Sequence, residues 1–151
     1  MMNGIGWSRG AVCAAVLGAA LAGALSASDA RAEETGRLTT HVLDTANGKP
    51  AAGMGIDFYR KDGASYTLVA STQTNKDGRT DKPLMVGEAF KTGSYQIVFH
   101  VAAYYRALGA PLAEPAFLDT VPVQFSIADG KAHYHVPLLT TPWSYATYRG
   151  S

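Results

Sequence analysis

Four histidines and one arginine hold most of the chemistry in this sequence. His41 sits in "TTHVLD", His133 and His135 stand two apart in "HYHVP", His100 closes "YQIVFH", and Arg79 follows a turn glycine in "NKDGR". An imidazole titrates near neutrality, so it can take a proton from water and return one to a leaving group. A guanidinium offers a planar fork of donors to an anionic or carbonyl-rich ligand. His133 and His135 share one face of a strand, because side chains two apart point the same way. That pair is also a workable zinc site, which His41 could complete. Each residue has a plainer reading too. His41 can be a strand histidine meeting a neighbour's carbonyl, His100 is read as structural, and a post-turn arginine is usually only solvated. Taken singly, none of them decides the matter.

Other chemistries are excluded. The sequence has no G-x-S-x-G elbow, no phosphate loop, no C-x-x-C and no H-E-x-x-H. Its only cysteine is Cys13. That residue lies in a segment expected to be removed, so thiol catalysis is not available to the remainder.

That segment is residues 1–32, read as a cleaved signal peptide. Arg9 gives a weakly positive start, "AVCAAVLGAALAGAL" is an uncharged apolar run of signal-peptide length, and "ARA" at 30–32 supplies small residues for a peptidase. A membrane anchor fits less well, because the run is short for a hydrocarbon core of roughly 30 Å. The expectation is therefore an exported, periplasmic protein with one domain, residues 33–151. The leader takes Arg9, Arg31 and Asp29, which leaves eleven basic and eleven acidic residues. A neutral domain without a basic block has no electrostatic footprint for nucleic acid or anionic lipid. Without a disulfide, its core or a subunit interface must hold it together.

The elements that must position the histidines read as strands. Apolar residues make up 47% of the chain, and its 16 glycines and 7 prolines point to many turns. Strands are expected over 37–45, 55–61, 66–74, 93–101, 121–127, 132–139 and 143–149, with a weak one near "MVGEAF". Val101, Tyr104, Tyr105 and Leu108 fall at i, i+3, i+4 and i+7 before Gly109, which predicts one short helix over 101–109. Eight strands without a βαβ rhythm argue for two packed antiparallel sheets. Pro137 removes a ladder donor, so the His135 strand is expected to be bulged or at an edge there.

Together, "LTTHVLDTANGKPA", "TNKDGR" and "HYHVPLLTTPWSYATYRGS" resemble the transthyretin-related family, and within it the 5-hydroxyisourate hydrolases. The terminal Tyr-Arg-Gly-Ser marks the hydrolase branch. The hormone-carrier branch has lysine, glutamate and threonine where this chain has His41, Arg79 and His135. Two departures stand out: "LLTTP" replaces the family's usual Leu-Leu-Ser-Pro, and Trp143 replaces a frequent tyrosine. The resemblance implies an all-β, transthyretin-like (prealbumin-like) sandwich of two four-stranded antiparallel sheets, with one short helix after the fifth strand. It implies a homotetramer, a dimer of dimers, with sites in the groove between dimers and closed by the C-terminus. It also implies cofactor-independent, metal-free opening of a ring amide in a urate oxidation product. His41, Arg79, His135 and Ser151 would be catalytic, and His41, Arg79 and Tyr148 would bind substrate. His41 would activate the water and His135 orient it or protonate the leaving nitrogen, with the two exchangeable. A non-catalytic periplasmic carrier using the same groove is the alternative.

Overall fold

Strict alternation in "RLTTHVLD" sets the frame of the fold. In the computed structural model, which describes residues 35–150, this segment is strand β1 (Arg37–Asp44). Leu38, Thr40, Val42 and Asp44 are buried, while Thr39, His41 and Leu43 on the opposite face are half-buried. The expected leader and Ser151 lie outside the described residues.

The remaining elements are β2 (Lys49–Pro50), β3 (Gly55–Asp62), β4 (Ser65–Gln73), β5 (Met85–Val86), β6 (Gly93–Phe99), α1 (Val101–Ala107), β7 (Val121–Ile127), β8 (His133–Thr140) and β9 (Tyr145–Thr147). One sheet runs β4-β3-β6-β7 and is antiparallel throughout. The other runs β2-β1-β8-β9, with β5 also paired to β1. The sandwich of two sheets is as expected, with two differences of detail. The second sheet has five strands because β2 and β5, two residues each, join it. It is also mixed, since β1 and β8 pair in parallel from Arg37↔His133 to Asp44↔Thr140. No hairpin links these two strands; the chain crosses to the other sheet and returns, so their direction is set by packing.

The core fills the space between the sheets. Leu38, Val42 and Leu138 come from one side, and Ile56, Phe58, Ile97 and Phe99 from the other, all essentially sealed from solvent. Each such side chain contributes about 1.5–3 kcal/mol on leaving water. Arg60 is exposed, past the shift in the β3–β4 register between Phe58 and Tyr59. The "MVGEAF" segment forms only β5 and then a single 3₁₀ turn, Gly87–Ala89.

Helix α1 closes one end of the sandwich. Val101, Tyr104 and Tyr105 face inward as the spacing predicts, and Gly109 ends the helix at φ 76°. Leu108 is 47% exposed, so the inward stripe is one residue shorter than expected. Tyr104 and Tyr105 both donate their hydroxyl hydrogens to the buried Asp44 carboxylate, at 3.0 and 2.8 Å. Asn47 adds a main-chain and a side-chain donor to the same group.

Pro137 corrects one expectation. It is buried inside the sheet, between β1 and β9, and the parallel β1–β8 register passes it without a shift. Its missing N–H interrupts the other side instead. The β8–β9 ladder ends at Leu138↔Thr147 and resumes only as a lone bridge, His135↔Gly150. Between them the Thr147 hydroxyl donates to the Pro137 carbonyl at 2.7 Å.

Candidate active site

The parallel pairing of β1 and β8 brings the histidines together. Register places Arg37 opposite His133, Thr39 opposite His135 and His41 opposite Pro137. Residues at alternate positions point away from the core, so Thr39, His41, His133 and His135 share the outer face of the mixed sheet.

Arg79 reaches that face through a constrained turn. The Asn75 side-chain oxygen accepts from the Asp77 and Arg79 amides at 3.0 and 3.2 Å, which closes the "NKDGR" loop locally. Gly78 sits at φ +73°, and its carbonyl accepts from the Val42 amide at 2.8 Å. A Cβ at Gly78 would stand 2.4 Å from the Val42 carbonyl oxygen, so no other residue fits without moving β1. The turn then pairs Arg79 with His41 in an antiparallel bridge.

The result is a cleft of about 310 Å³ lined by Arg37, Thr39, Arg79, Pro83, His133 and His135. The His41 ring centroid is 6.5 Å from that of His135, and the His133 centroid is 6.4 Å from it on the other side. The Thr39 hydroxyl lies between two rings, 3.0 Å from His133 Nε2 and 2.9 Å from His135 Nδ1. His41 Nε2 is buried and has no hydrogen-bond partner among the described residues. A buried polar atom left in that state is uncommon, and here its ring stands beside His135, which lines the cleft.

The electrostatics favour neutral imidazoles. Burial, and next to it the Arg79 guanidinium, hold His41 below its ordinary value, against a main-chain hydrogen bond with Asp77 that pulls upward. Burial, then Arg79, His41 and His133, hold His135 down as well. Two bases kept unprotonated beside fixed positive charge can accept protons at neutral pH, while Arg79 favours developing negative charge.

The described end of the chain is also fixed here. The Gly150 amide donates to the His135 carbonyl at 2.9 Å, and a Cβ on Gly150 would come within 2.7 Å of the His135 ring. Ser151 lies outside the described residues.

Tyr148 is placed differently from the sequence expectation. It is 58% exposed and lines a second groove of about 250 Å³ with Val123, Phe125, Tyr134, Val136 and Arg149. The gap that Pro137 leaves in the ladder frees Tyr148 and Arg149 from regular strand geometry, and Arg149 lies over the Tyr134 ring at 4.4 Å. His100 is also away from the cleft, its Nε2 2.8 Å from Asp57 Oδ2, in keeping with a structural role. Among the described residues no group of three or more His, Cys, Asp or Glu stands ready to hold a metal ion.

Sequence reading missed Thr39 and Arg37 as cleft residues and treated His133 only as half of a metal pair. Period two on β1 put Thr39 beside His41. Only the parallel register puts it against His135.

Residues 38–150 match the HIUase/Transthyretin family. The chain belongs to that family. Among its relatives is 5-hydroxyisourate hydrolase 2 of Rhizobium meliloti, 56% identical over 118 residues, covering 78% of this chain and 98% of the relative. The 5-hydroxyisourate hydrolase of Pseudomonas aeruginosa is 55% identical over 121 residues, covering 80% and 96%. Of solved structures, Klebsiella pneumoniae 5-hydroxyisourate hydrolase superposes with a TM-score of 0.64 at 27% identity, covering 77% of this chain and 99% of that one. A crystal structure of (S)-allantoin synthase superposes with a TM-score of 0.74 at 43% identity, covering 79% of this chain. This HIUase/Transthyretin chain spans only 45% of the synthase chain.

Proposed function

We propose that this protein is a hydrolase that opens the ring of 5-hydroxyisourate, giving 2-oxo-4-hydroxy-4-carboxy-5-ureidoimidazoline in urate catabolism. The observation that carries the proposal is the cleft itself: neutral imidazoles and a guanidinium, brought from three distant segments to one outer face.

Water adds to the ring carbonyl, a tetrahedral oxyanion forms, and its collapse expels a ring nitrogen that must be protonated. His135 lines the cleft and has Nδ1 occupied by Thr39, which leaves Nε2 as the nitrogen that takes the proton from water. Of the two assignments left open by the sequence, this one is favoured because His41 Nε2 is closed off from solvent. His41, whose ring centre is 6.5 Å from that of His135, stands behind that base and contributes to keeping it neutral. Arg79 stabilises the oxyanion, and Ser151 and Tyr148 remain proposed contacts of the assembled site.

Assembly as a homotetramer is part of the same proposal. Strands β7 and β9 are open edges of the two sheets, and Trp143, Tyr145 and Tyr148 expose large aromatic surfaces along one of them. Light scattering on the cleaved chain is expected to give four times the protomer mass; a monomer at micromolar concentration would sink this part. Export to a periplasm rests on the apolar run and small residues of positions 1–32, and N-terminal sequencing of the secreted protein should begin at Glu33.

The deciding experiment follows ultraviolet absorbance of freshly generated 5-hydroxyisourate, with an enzyme-free control because the substrate decays by itself. Saturable acceleration supports the proposal. Binding without acceleration would favour the carrier reading instead.

A further inference from the structure

We propose that Thr39 is a positioning residue that relays a proton between His135 and His133. The inference rests on the hydrolase reading above and deepens it. The Thr39 hydroxyl is within hydrogen-bond distance of a ring nitrogen on both sides, 2.9 Å from His135 Nδ1 and 3.0 Å from His133 Nε2. A hydroxyl has one hydrogen, so it donates to one of these nitrogens and accepts from the other. The tautomers of the two rings are therefore tied together. When Thr39 accepts from His135 Nδ1–H, Nε2 of His135 is a bare lone pair facing the cleft. When Thr39 donates to His135 Nδ1, that same Nε2 carries a hydrogen.

The coupling removes a specific difficulty. A proton taken from water by His135 would create an imidazolium that burial opposes first, and Arg79 and His41 after it. The relay moves it on. His135 Nε2 gains the hydrogen of the attacking water, Nδ1–H passes its hydrogen to the Thr39 oxygen, and the Thr39 hydrogen goes to His133 Nε2. His135 ends neutral, Thr39 is again a hydroxyl, and the single positive charge rests on His133, whose ring centre is 6.4 Å away. Arg37 stands opposite His133 in the register and is exposed, so solvent screens its charge. Running the steps backward delivers the proton from His135 Nε2 to the leaving nitrogen. One chain of three groups thus serves both halves of the reaction.

Both relay partners stand on rigid strands in adjacent register, so the hydroxyl needs no backbone movement to reach either ring. That placement distinguishes Thr39 from its neighbour Thr40, whose hydroxyl is buried and donates to the Val136 carbonyl at 2.7 Å.

The test compares Thr39→Val, which keeps the β-branched shape, with Thr39→Ser, which keeps the hydroxyl, and with His133→Gln, which can still hydrogen-bond but cannot carry a proton. Turnover on 5-hydroxyisourate is expected to fall about 10²-fold in Thr39→Val and His133→Gln, with KM little changed, and to stay within about threefold of the parent in Thr39→Ser. In parallel, ¹⁵N resonances of the imidazole nitrogens should show the His135 tautomer shift in Thr39→Val and return in Thr39→Ser. Parent-like turnover together with unchanged nitrogen resonances in Thr39→Val overturns the relay. A parent protein without activity overturns the hydrolase reading instead, and the nitrogen resonances then judge the Thr39 coupling alone.

Discussion

Strand β1 serves two polar clusters that differ in one respect. On its outer face, His41 has a buried nitrogen with no partner among the described residues, beside a second imidazole and an arginine. On its inner face, three residues on, Asp44 is sealed from solvent and accepts from Tyr104, Tyr105 and both nitrogens of Asn47. The Asp44 cluster uses up its hydrogen-bonding capacity and holds α1 to the sheet. The His41 cluster keeps capacity in reserve, and burial, then the Arg79 guanidinium, hold its rings neutral. Satisfied polar groups stabilise a fold, whereas unsatisfied ones beside an open cleft await a ligand.

Removing the reserve should affect turnover and spare the fold. His135→Ala and His41→Ala are each expected to lower kcat by about 10²–10⁴-fold. Each should lower stability by only about 1 kcal/mol, since His41 gives up one hydrogen bond, to the Asp77 main chain, and His135 one to Thr39. Steady-state kinetics beside urea denaturation at matched protein concentration measures both quantities. A variant that unfolds in parallel with its loss of activity would erase the distinction between the two faces.

The Asp44 cluster should behave the opposite way. Asp44→Ala leaves two tyrosine hydroxyls and Asn47 without their acceptor, and is expected to cost about 3–4 kcal/mol of stability. The pH dependence has a definite sign. Burial pushes the Asp44 carboxyl up, but hydrogen bonds from Asn47, Tyr105 and Tyr104 together outweigh it and hold it below the ordinary 3.8. A carboxyl depressed in the folded state contributes stability that is present above its unfolded value and is lost as pH falls through the folded one. Denaturation midpoints of the parent should therefore drop as pH falls below about 4, and Asp44→Asn should flatten that drop.

How much of this was legible beforehand depends on the range of the interaction. Alternation revealed β1, β6 and β7, and the helical spacing of Val101, Tyr104 and Tyr105 revealed α1, because both patterns are local. The turn chemistry around Gly78 was also local and readable. Pairing of β1 with β8 was not, since nothing near either strand encodes a parallel partner almost a hundred residues away. The role of Thr39 and the interior position of Pro137 depend on that pairing, and so escaped a linear reading. His41, Arg79 and His135 could be named together only through the motifs shared with a family. The physical reason they converge is the register itself.

Arg79 connects electrostatics to both imidazoles and supplies a smaller test. Arg79→Gln keeps donors but removes the charge, and is expected to cost roughly 3 kcal/mol of transition-state stabilisation, about the loss of one oxyanion donor. It should also let His41 and His135 titrate closer to the ordinary 6.5, because the guanidinium holds both down. For a base depressed in the fold, the neutral form persists to lower pH, so the acid limb of kcat/KM lies below 6.5 in the parent and moves upward in the variant. Titration of the histidine proton resonances checks this directly. Unmoved midpoints would mean that burial alone sets the two values.

The weakest effect belongs to the histidine that sequence reading set aside. His100 Nε2 meets Asp57 Oδ2 at 2.8 Å, and Ser71 donates to the other oxygen of the same carboxylate at 2.5 Å. The two hydrogen bonds, Ser71 first, hold the Asp57 carboxyl below its ordinary value. The pair is half open to water, where solvent screens it and such contacts contribute about 0.2–1 kcal/mol. His100→Gln should therefore shift the urea midpoint slightly and leave kcat and KM unchanged. A tenfold loss of turnover would show that a carboxylate-paired imidazole remote from the cleft acts on it, and the division between polar groups that hold the fold and those that do chemistry would fail.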